Sequence, residues 1–124
     1  MLCPKCENTE METQSVACVE IDRCPTCHGI WLDALELEAL LKRDIKPLLE
    51  ADGQFEAVVS HEGPRLHCPR CKGTYLIKLN SRLRPGVIVD SCTTCFGTWL
   101  DAGELTRLAG NDFARLIARL FGAP

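Results

Sequence analysis

The sequence predicts a small, metal-stabilised α+β protein made of two similar units, each a β-hairpin with two Cys-x-x-Cys knuckles followed by an α-helix. Three observations lead to this prediction. Nine cysteines occur in only 124 residues, and most of them form pairs that recur in an internal repeat. Each copy of the repeat then passes from short β-type segments into sequence with helical spacing.

Four Cys-x-x-Cys pairs define the repeat. The pair at 3–6 aligns with the pair at 68–71 at an offset of 65 residues, and the pair at 24–27 aligns with the pair at 92–95 at an offset of 68. The second copy therefore has three extra residues between its pairs, as a longer hairpin loop requires. We predict a first unit over residues 1–53, a linker over 54–64 and a second unit over 65–124.

The segments between the cysteine pairs are of β type. They cover residues 15–22 in the first copy, and 74–79 and 87–90 in the second, where Pro85-Gly86 marks the turn. Each copy therefore predicts a hairpin that connects two knuckles.

The segments after the second pairs are predicted to be helical. Asp33 and Asp101 suit helix N-caps, and Glu36 and Glu104, three residues further on, can reach back to the backbone N–H of the cap residue. Apolar residues at helical spacing then form one stripe per unit. Breaks in these helices are predicted at Lys46-Pro47 and at Gly110-Asn111-Asp112.

The cysteine pairs predict two metal sites. Two Cys-x-x-Cys turns place four thiolates at the corners of one tetrahedron, which is the coordination that Zn²⁺ prefers, so two repeats predict two Zn²⁺ ions per chain. Four thiolates also bind iron, so iron is the alternative metal, and it is less favoured than zinc. Thiolates fill every coordination position, so we do not expect hydrolysis or any other catalysis at the metal. The predicted ligands are Cys3, Cys6, Cys24 and Cys27 in the first site, and Cys68, Cys71, Cys92 and Cys95 in the second.

A residue that tolerates positive φ stands two positions after each pair. These residues are Asn8, Gly29, Gly73 and Gly97. We expect each of them to adopt a left-handed backbone conformation that closes its knuckle.

Five further residues invite a functional interpretation. Trp31 and Trp99 lie between a knuckle and a helix, where we expect them to fill a thin core. Cys18, the ninth cysteine, is expected to be a half-buried strand residue, with a reactive thiol as the alternative. His28 and His67 adjoin knuckles and are expected at the surface.

The combined pattern resembles a known family. The run C-P-x-C, a hairpin, C-P-x-C-x-G-I-W-L-D and an acidic, leucine-rich helix is similar to the TFIIB-type zinc ribbon of small bacterial proteins, and it covers residues 3–41 and 68–109. The second copy departs from this pattern at Thr93, which stands in place of the proline after the first cysteine of the pair. The first copy departs from it at Leu35, which occupies the position of Gly103 in the second copy. The resemblance implies zinc at the eight predicted ligands. Ribbons in transcription factors commonly dock on RNA polymerase, so it also implies a protein partner, with RNA polymerase as the candidate.

Charge is distributed unevenly along the chain. Residues 1–60 have a formal net charge of −7 and residues 61–124 of +4, which gives −3 overall. A basic hairpin over 65–84 contains six cations and no acid, so it is a candidate for contacts with nucleic acid. The net acidity of the chain disfavours this interpretation. The six candidates are Arg65, Arg70, Lys72, Lys78, Arg82 and Arg84.

These observations exclude several functional classes. No apolar stretch is long enough to span a membrane and the start lacks the features of a signal peptide, so we expect a cytoplasmic protein, where closely spaced cysteines bind metal and do not form disulfides. The leading hypothesis is a non-catalytic, tandem zinc-ribbon module that acts as a protein-interaction adaptor associated with transcription. The alternatives are nucleic-acid binding through the basic hairpin and a redox- or zinc-responsive switch that uses Cys18. The apolar helix stripes either pack the two units together or form a homodimer, and the sequence leaves this choice open.

Overall fold

The computed structural model describes residues 1–43, 46–52, 65–80 and 87–108. The predicted linker 54–64, the Pro85-Gly86 turn and the predicted break at 110–112 lie outside these ranges. The described strands and helices are β1 (Glu12–Val16), β2 (Val19–Arg23), β3 (Ile30–Leu32), α1 (Glu36–Leu41), α2 (Lys46–Asp52), β4 (Ile77–Asn80), β5 (Ile88–Ser91) and β6 (Thr98–Leu100). Residues 104–108 are also helical. No helix in the described part of the chain is long and apolar enough to cross a membrane.

The six strands form a single antiparallel sheet in the order β1-β2-β3-β6-β5-β4. The two units meet in the middle of this sheet, where Trp31 of β3 lies opposite Trp99 of β6. The two tryptophans occupy equivalent positions of the repeat. Equivalent residues that face each other in an antiparallel pair relate the two units by a local two-fold axis.

The first hairpin shows why its strands form where they do. Val19 and Ile21 alternate with exposed residues, as in a strand with one buried face. Ala17 and Cys18 connect β1 to β2 with φ angles of 50° and 69°, which are typical of the two-residue turns that match the twist of a hairpin. The expectation that Cys18 is a half-buried strand residue is therefore wrong, because the side chain is exposed at the tip of this turn.

Two groups of buried residues form the core. One is aliphatic and combines residues of the sheet with residues of the helices. The other contains Trp31, Trp99 and the buried cysteines. Both indole rings are fully buried, which confirms the prediction that they fill the core.

The predicted helix start is correct in one contact and wrong in another. The carboxylate of Glu36 accepts a hydrogen bond from the backbone N–H of Asp33 at 2.6 Å, as predicted. The N-cap position itself is Leu35, and Asp33 does not cap the helix with its side chain. The Asp33 carboxylate instead accepts hydrogen bonds from Trp31 Nε1 at 3.2 Å and from the Arg70 guanidinium at 2.7 Å.

The predicted break near Lys46-Pro47 is confirmed, because α1 ends at Leu41 and α2 begins at Lys46. Pro47 lies in the first turn of α2, where a missing backbone N–H costs no hydrogen bond.

Asp52, the last residue of α2, caps the helical segment of the second unit. Its carboxylate is fully buried and accepts hydrogen bonds from the backbone N–H of Gly103 at 2.9 Å and of Thr106 at 3.0 Å. The Thr106 hydroxyl donates a third bond to it at 2.9 Å. The first unit therefore supplies the cap that Asp101 was expected to supply, since the Asp101 carboxylate binds Lys5 and Trp99.

Leu35→Gly is expected to stabilise the protein. Leu35 has φ of 69° and an exposed fraction of 78%, so glycine would relieve a strained backbone and remove little buried surface. Allowing for the greater freedom of glycine in the unfolded chain, we expect a gain of about 0.5–1 kcal/mol in the free energy of unfolding. Denaturant unfolding of the zinc-saturated protein measures it. Gly103→Ala, at the equivalent position with φ of 86°, should destabilise, and a loss of stability in Leu35→Gly would refute the argument.

Asp52→Ala is expected to lower the free energy of unfolding by about 2 kcal/mol, because it leaves the buried N–H of Gly103 and the partly buried N–H of Thr106 without an acceptor. Asp52→Asn keeps one carbonyl oxygen and should lose less. Thr106→Val removes only the hydroxyl contacts and serves as the matched control. If Asp52→Ala unfolds at the same denaturant concentration as the wild type, the capping contact has no energetic importance.

Candidate metal centres

Four cysteines converge in each unit. The first cluster combines Cys3 and Cys6, which precede β1, with Cys24 and Cys27, which lie between β2 and β3, and all four Sγ atoms lie within 4.8 Å of one another. Cys3 Sγ is 3.7 Å from Cys27 Sγ, and Cys24 Sγ is 3.9 Å from Cys6 Sγ. The structure thus places the four predicted ligands of the first site together.

The second cluster repeats this geometry with Cys68, Cys71, Cys92 and Cys95. Cys68 Sγ lies 3.7 Å from Cys95 Sγ. A zinc tetrahedron with Zn–S bonds of about 2.3 Å has S···S edges of about 3.8 Å. The sulfur positions therefore fit a four-coordinate Zn²⁺ ion in both clusters.

Backbone N–H groups point at the buried sulfurs. Cys24 Sγ accepts from the N–H of Thr26 and of Cys27, both at 3.4 Å, and Cys92 Sγ accepts in the same way from Thr94 and Cys95. Burial acts to raise the pKa of Cys24 and Cys92, but these backbone donors, together with hydrogen bonds from neighbouring cysteine thiols, outweigh it and lower the pKa to about 7.

The remaining buried thiols resist ionisation. Burial raises the pKa of Cys3 to about 11 and of Cys68 to about 12. Without a cation, neighbouring thiolates in such a cluster would also repel one another. Four thiolates therefore form in each cluster when a bound metal ion supplies the compensating charge.

The turns that close the knuckles differ from the prediction. Positive φ occurs directly after the second cysteine in three knuckles, at Glu7, His28 and Phe96, with angles near 60°. Only Gly73 has the predicted left-handed conformation two positions after its pair, with φ of 78°. The expectation is therefore wrong for Asn8, Gly29 and Gly97, which lie outside that region.

Gly29 and Gly97 are glycines for a different reason. A Cβ atom built on Gly29 would lie 2.2 Å from Cζ2 of Trp99, and one built on Gly97 would lie 2.2 Å from Cζ2 of Trp31. Each indole ring therefore lies directly against the backbone beside the metal-binding knuckle of the other unit. Any larger residue at either position would displace the ring.

Two ion pairs connect the units in the same reciprocal way. Lys5, between the first two cysteines, donates to Asp101 of the second unit at 3.1 Å. Arg70, at the equivalent position, donates to Asp33 of the first unit at 2.7 Å through Nε and again through a second nitrogen. The sequence analysis named Arg70 as a candidate contact with nucleic acid and predicted neither ion pair. The missed signal was the recurrence of a cation and an aspartate at equivalent positions in both copies.

The pKa of Lys5 reflects both its ion pair with Asp101 and its position beside the first cysteine cluster. Burial acts to lower it, but the hydrogen bond and charge of Asp101, together with the thiolates of Cys27 and Cys6, raise it above its ordinary value. Lys5 therefore lies in the field of its own metal cluster and of the aspartate from the other unit.

Two of the four described candidates for nucleic-acid contact are already paired with carboxylates of this chain. Arg70 is paired with Asp33, and Lys78 donates to the buried carboxylate of Asp90 at 2.9 Å. Arg65 and Lys72 are exposed. Arg82 and Arg84 lie outside the described residues.

The other singled-out side chains lie away from the clustered sulfurs or at the surface. Cys18 belongs to neither cluster and lies at the opposite end of β2 from Cys24. His67 is exposed and its ring packs on Tyr75, with 4.4 Å between the centroids, and His28 is partly exposed. In the described chain the groups that could hold a metal ion are the two four-cysteine clusters.

Comparison with known families identifies the pattern of the two units. A sequence model of the family described as "Transcription factor zinc-finger", the TFIIB-type zinc ribbon, matches residues 2–43 and again 67–110. No curated protein and no solved structure matches the chain significantly. The two matched segments coincide with the two units of the repeat and contain one complete cysteine cluster each.

Glu104→Gln is expected to stabilise the protein increasingly as the pH rises. Burial first, and then the charge of Asp101, raises the pKa of Glu104 to about 8, so the folded state keeps a proton that the unfolded state releases near pH 4.5. The stability contributed by this proton is complete below pH 4.5 and is lost as the pH rises through about 8. Between these values the variant should gain on the wild type by up to about 1.4 kcal/mol per pH unit.

Denaturant unfolding of both proteins at a series of pH values, with zinc saturating, measures this difference. Contributions from the cysteine clusters are common to both proteins and cancel. Glu36→Gln, at the equivalent but less buried position, is the control and should show a weaker dependence. A difference between Glu104→Gln and wild type that stays constant with pH would contradict the assignment.

Proposed function

Because the chain belongs to the TFIIB-type zinc-ribbon family, contains two tandem ribbons and binds two Zn²⁺ ions, we propose that it is a non-catalytic adaptor that binds RNA polymerase in the cytoplasm. The observation that carries this proposal is the closure of both metal sites. Each cluster offers four thiolates to an ion that takes four ligands, so no coordination position remains for a substrate or a water molecule. The zinc ions therefore have a structural role and stabilise the surface that would bind the partner.

The ion pairs favour a protein partner over nucleic acid. Arg70 and Lys78, two of the described cations of the basic hairpin, are already engaged with carboxylates of this chain. A phosphate would have to displace those carboxylates. Exposed Arg65 and Lys72 would then supply most of the described attraction, against the net charge of −3.

The second unit also presents apolar side chains to solvent. Phe96, at the tip of a knuckle, has an exposed fraction of 67%, and Tyr75 and Leu79 are about half exposed. Aromatic residues are enriched at protein interfaces, where a rigid ring buries a large area at little entropic cost. Phe96 is therefore our candidate anchor for the polymerase.

The alternative of a redox switch at Cys18 has weak geometric support. The five residues of β2 separate Cys18 from Cys24, the first ligand after the turn. At about 3.3 Å per residue this places them roughly 20 Å apart. Thiol exchange with the first cluster would require the hairpin to open.

Binding to purified RNA polymerase from the source organism tests the proposal. The zinc-loaded chain is immobilised, and polymerase that has been treated with nuclease is passed over it. We expect binding that Phe96→Asn weakens by roughly tenfold or more, because the anchor ring is lost. Asparagine tolerates the positive φ at this position, so the knuckle should persist.

Glu7→Asn is the matched control, since Glu7 is also exposed and also has positive φ directly after a knuckle, but in the first unit. It should bind like the wild type. Failure of the intact chain to bind polymerase would refute the proposed partner. Binding that requires untreated polymerase carrying nucleic acid would favour the basic hairpin instead.

A further inference from the structure

The knuckles around each metal cluster contact side chains of the other unit. Lys5 lies between Cys3 and Cys6, and its ammonium group donates to Asp101 of the second unit at 3.1 Å. Gly29, two residues after Cys27, packs against the ring of Trp99. Both knuckles of the first cluster thus contact the Trp99–Asp101 segment of the other unit.

The second cluster has the same arrangement with the roles exchanged. Arg70, between Cys68 and Cys71, forms a two-pronged pair with Asp33, and Gly97 packs against the ring of Trp31. In both segments the indole Nε1 also donates to the aspartate two residues on, at 3.2 Å. This hydrogen bond fixes the indole and the carboxylate of each segment relative to one another.

The position of each Trp-x-Asp segment depends on the cluster beside it in the sequence. The second knuckle closes with a hydrogen bond from Cys92 N–H to the Gly97 carbonyl at 3.0 Å, and β6, which contains Trp99, begins at the next residue. The first unit closes in the same way, from Cys24 to Gly29, directly before β3. A knuckle that opens would release the strand that supports the other cluster.

We propose that the two metal sites are thermodynamically coupled, so that the chain gains and loses its two Zn²⁺ ions as a pair. Filling one site fixes its Trp-x-Asp segment, and that segment fixes both knuckles of the other site. Because coupling between sites is reciprocal, each ion raises the affinity for the other by the same factor. This inference concerns metal binding and does not depend on the proposed partner.

Native mass spectrometry of the full chain during titration with Zn²⁺ tests the coupling. Two independent sites of equal affinity would leave half of the molecules with one ion at half saturation. We expect the one-ion species to be well below that fraction, with the metal-free and two-ion species dominant. A one-ion species at or above one half would overturn the proposal.

Zinc loss from a single site gives a second test. Cys92→Ser removes a ligand of the second site only, and mapping the cysteines that an alkylating reagent reaches identifies the ion that remains. In excess chelator, the first site of this variant should lose zinc roughly tenfold faster than the first site of the wild type, within the usual range of coupling between sites. Equal rates would overturn the proposal.

Lys5→Met distinguishes coupling from a local structural role. It keeps all eight ligands but removes the contact with Asp101. It should accelerate zinc loss from the first site in the otherwise wild-type chain, and add little in the Cys92→Ser background, where the second unit no longer holds Asp101 in place. Equal acceleration in both backgrounds would show that Lys5 acts only within its own knuckle. Lys72→Met, which alters an exposed cation beside Cys71, is the control and should leave zinc loss from the first site unchanged.

Discussion

Antiparallel pairing of β3 with β6 places Trp31 opposite Trp99, and the indole and ion-pair contacts between the two ribbons follow from that register. It brings each indole onto a glycine of the opposite unit and brings Asp33 and Asp101 within reach of Arg70 and Lys5. Small cores of this kind gain limited stability from burial alone. The β3–β6 pairing lets both units contribute to one sheet and to the same two buried clusters, while eight thiolates and two Zn²⁺ ions hold the turns around it.

Opposite charges of the two units also pair beside the β3–β6 contact. Four thiolates and one Zn²⁺ ion give each site a net charge of about −2, which needs nearby cations. Lys5 and Arg70 each lie inside a knuckle and also bind a buried or half-buried aspartate of the other unit. One cation therefore faces two sources of negative charge. This arrangement explains why Arg70, one of the cations of the basic hairpin, is not available to phosphates.

The local symmetry is incomplete where the two units differ in sequence. Gly103 adopts a left-handed conformation without strain, whereas Leu35 adopts it with a side chain. Glu104 is almost completely buried, and its counterpart Glu36 is partly exposed. Asp52 caps the helical segment of the second unit, but the equivalent position of the second copy is Leu120. The repeats have thus diverged at the start of the first helix of each unit and at Asp52, and they have kept the knuckles and the β3–β6 pairing.

The sequence by itself determined the two units, the eight cysteines that cluster, the buried tryptophans and the break before α2. These features depend on local spacing: Cys-x-x-Cys turns, alternation in strands and a proline that fits only the first turn of a helix. Only the tertiary structure decided where Asp33, Asp101, Lys5 and Arg70 bind, because their partners lie in the other unit and local rules assign those aspartates to the nearest helix. The same applies to Gly29 and Gly97. These positions need glycine because the indole ring of the other unit leaves no room for a Cβ atom, and not because of their backbone φ.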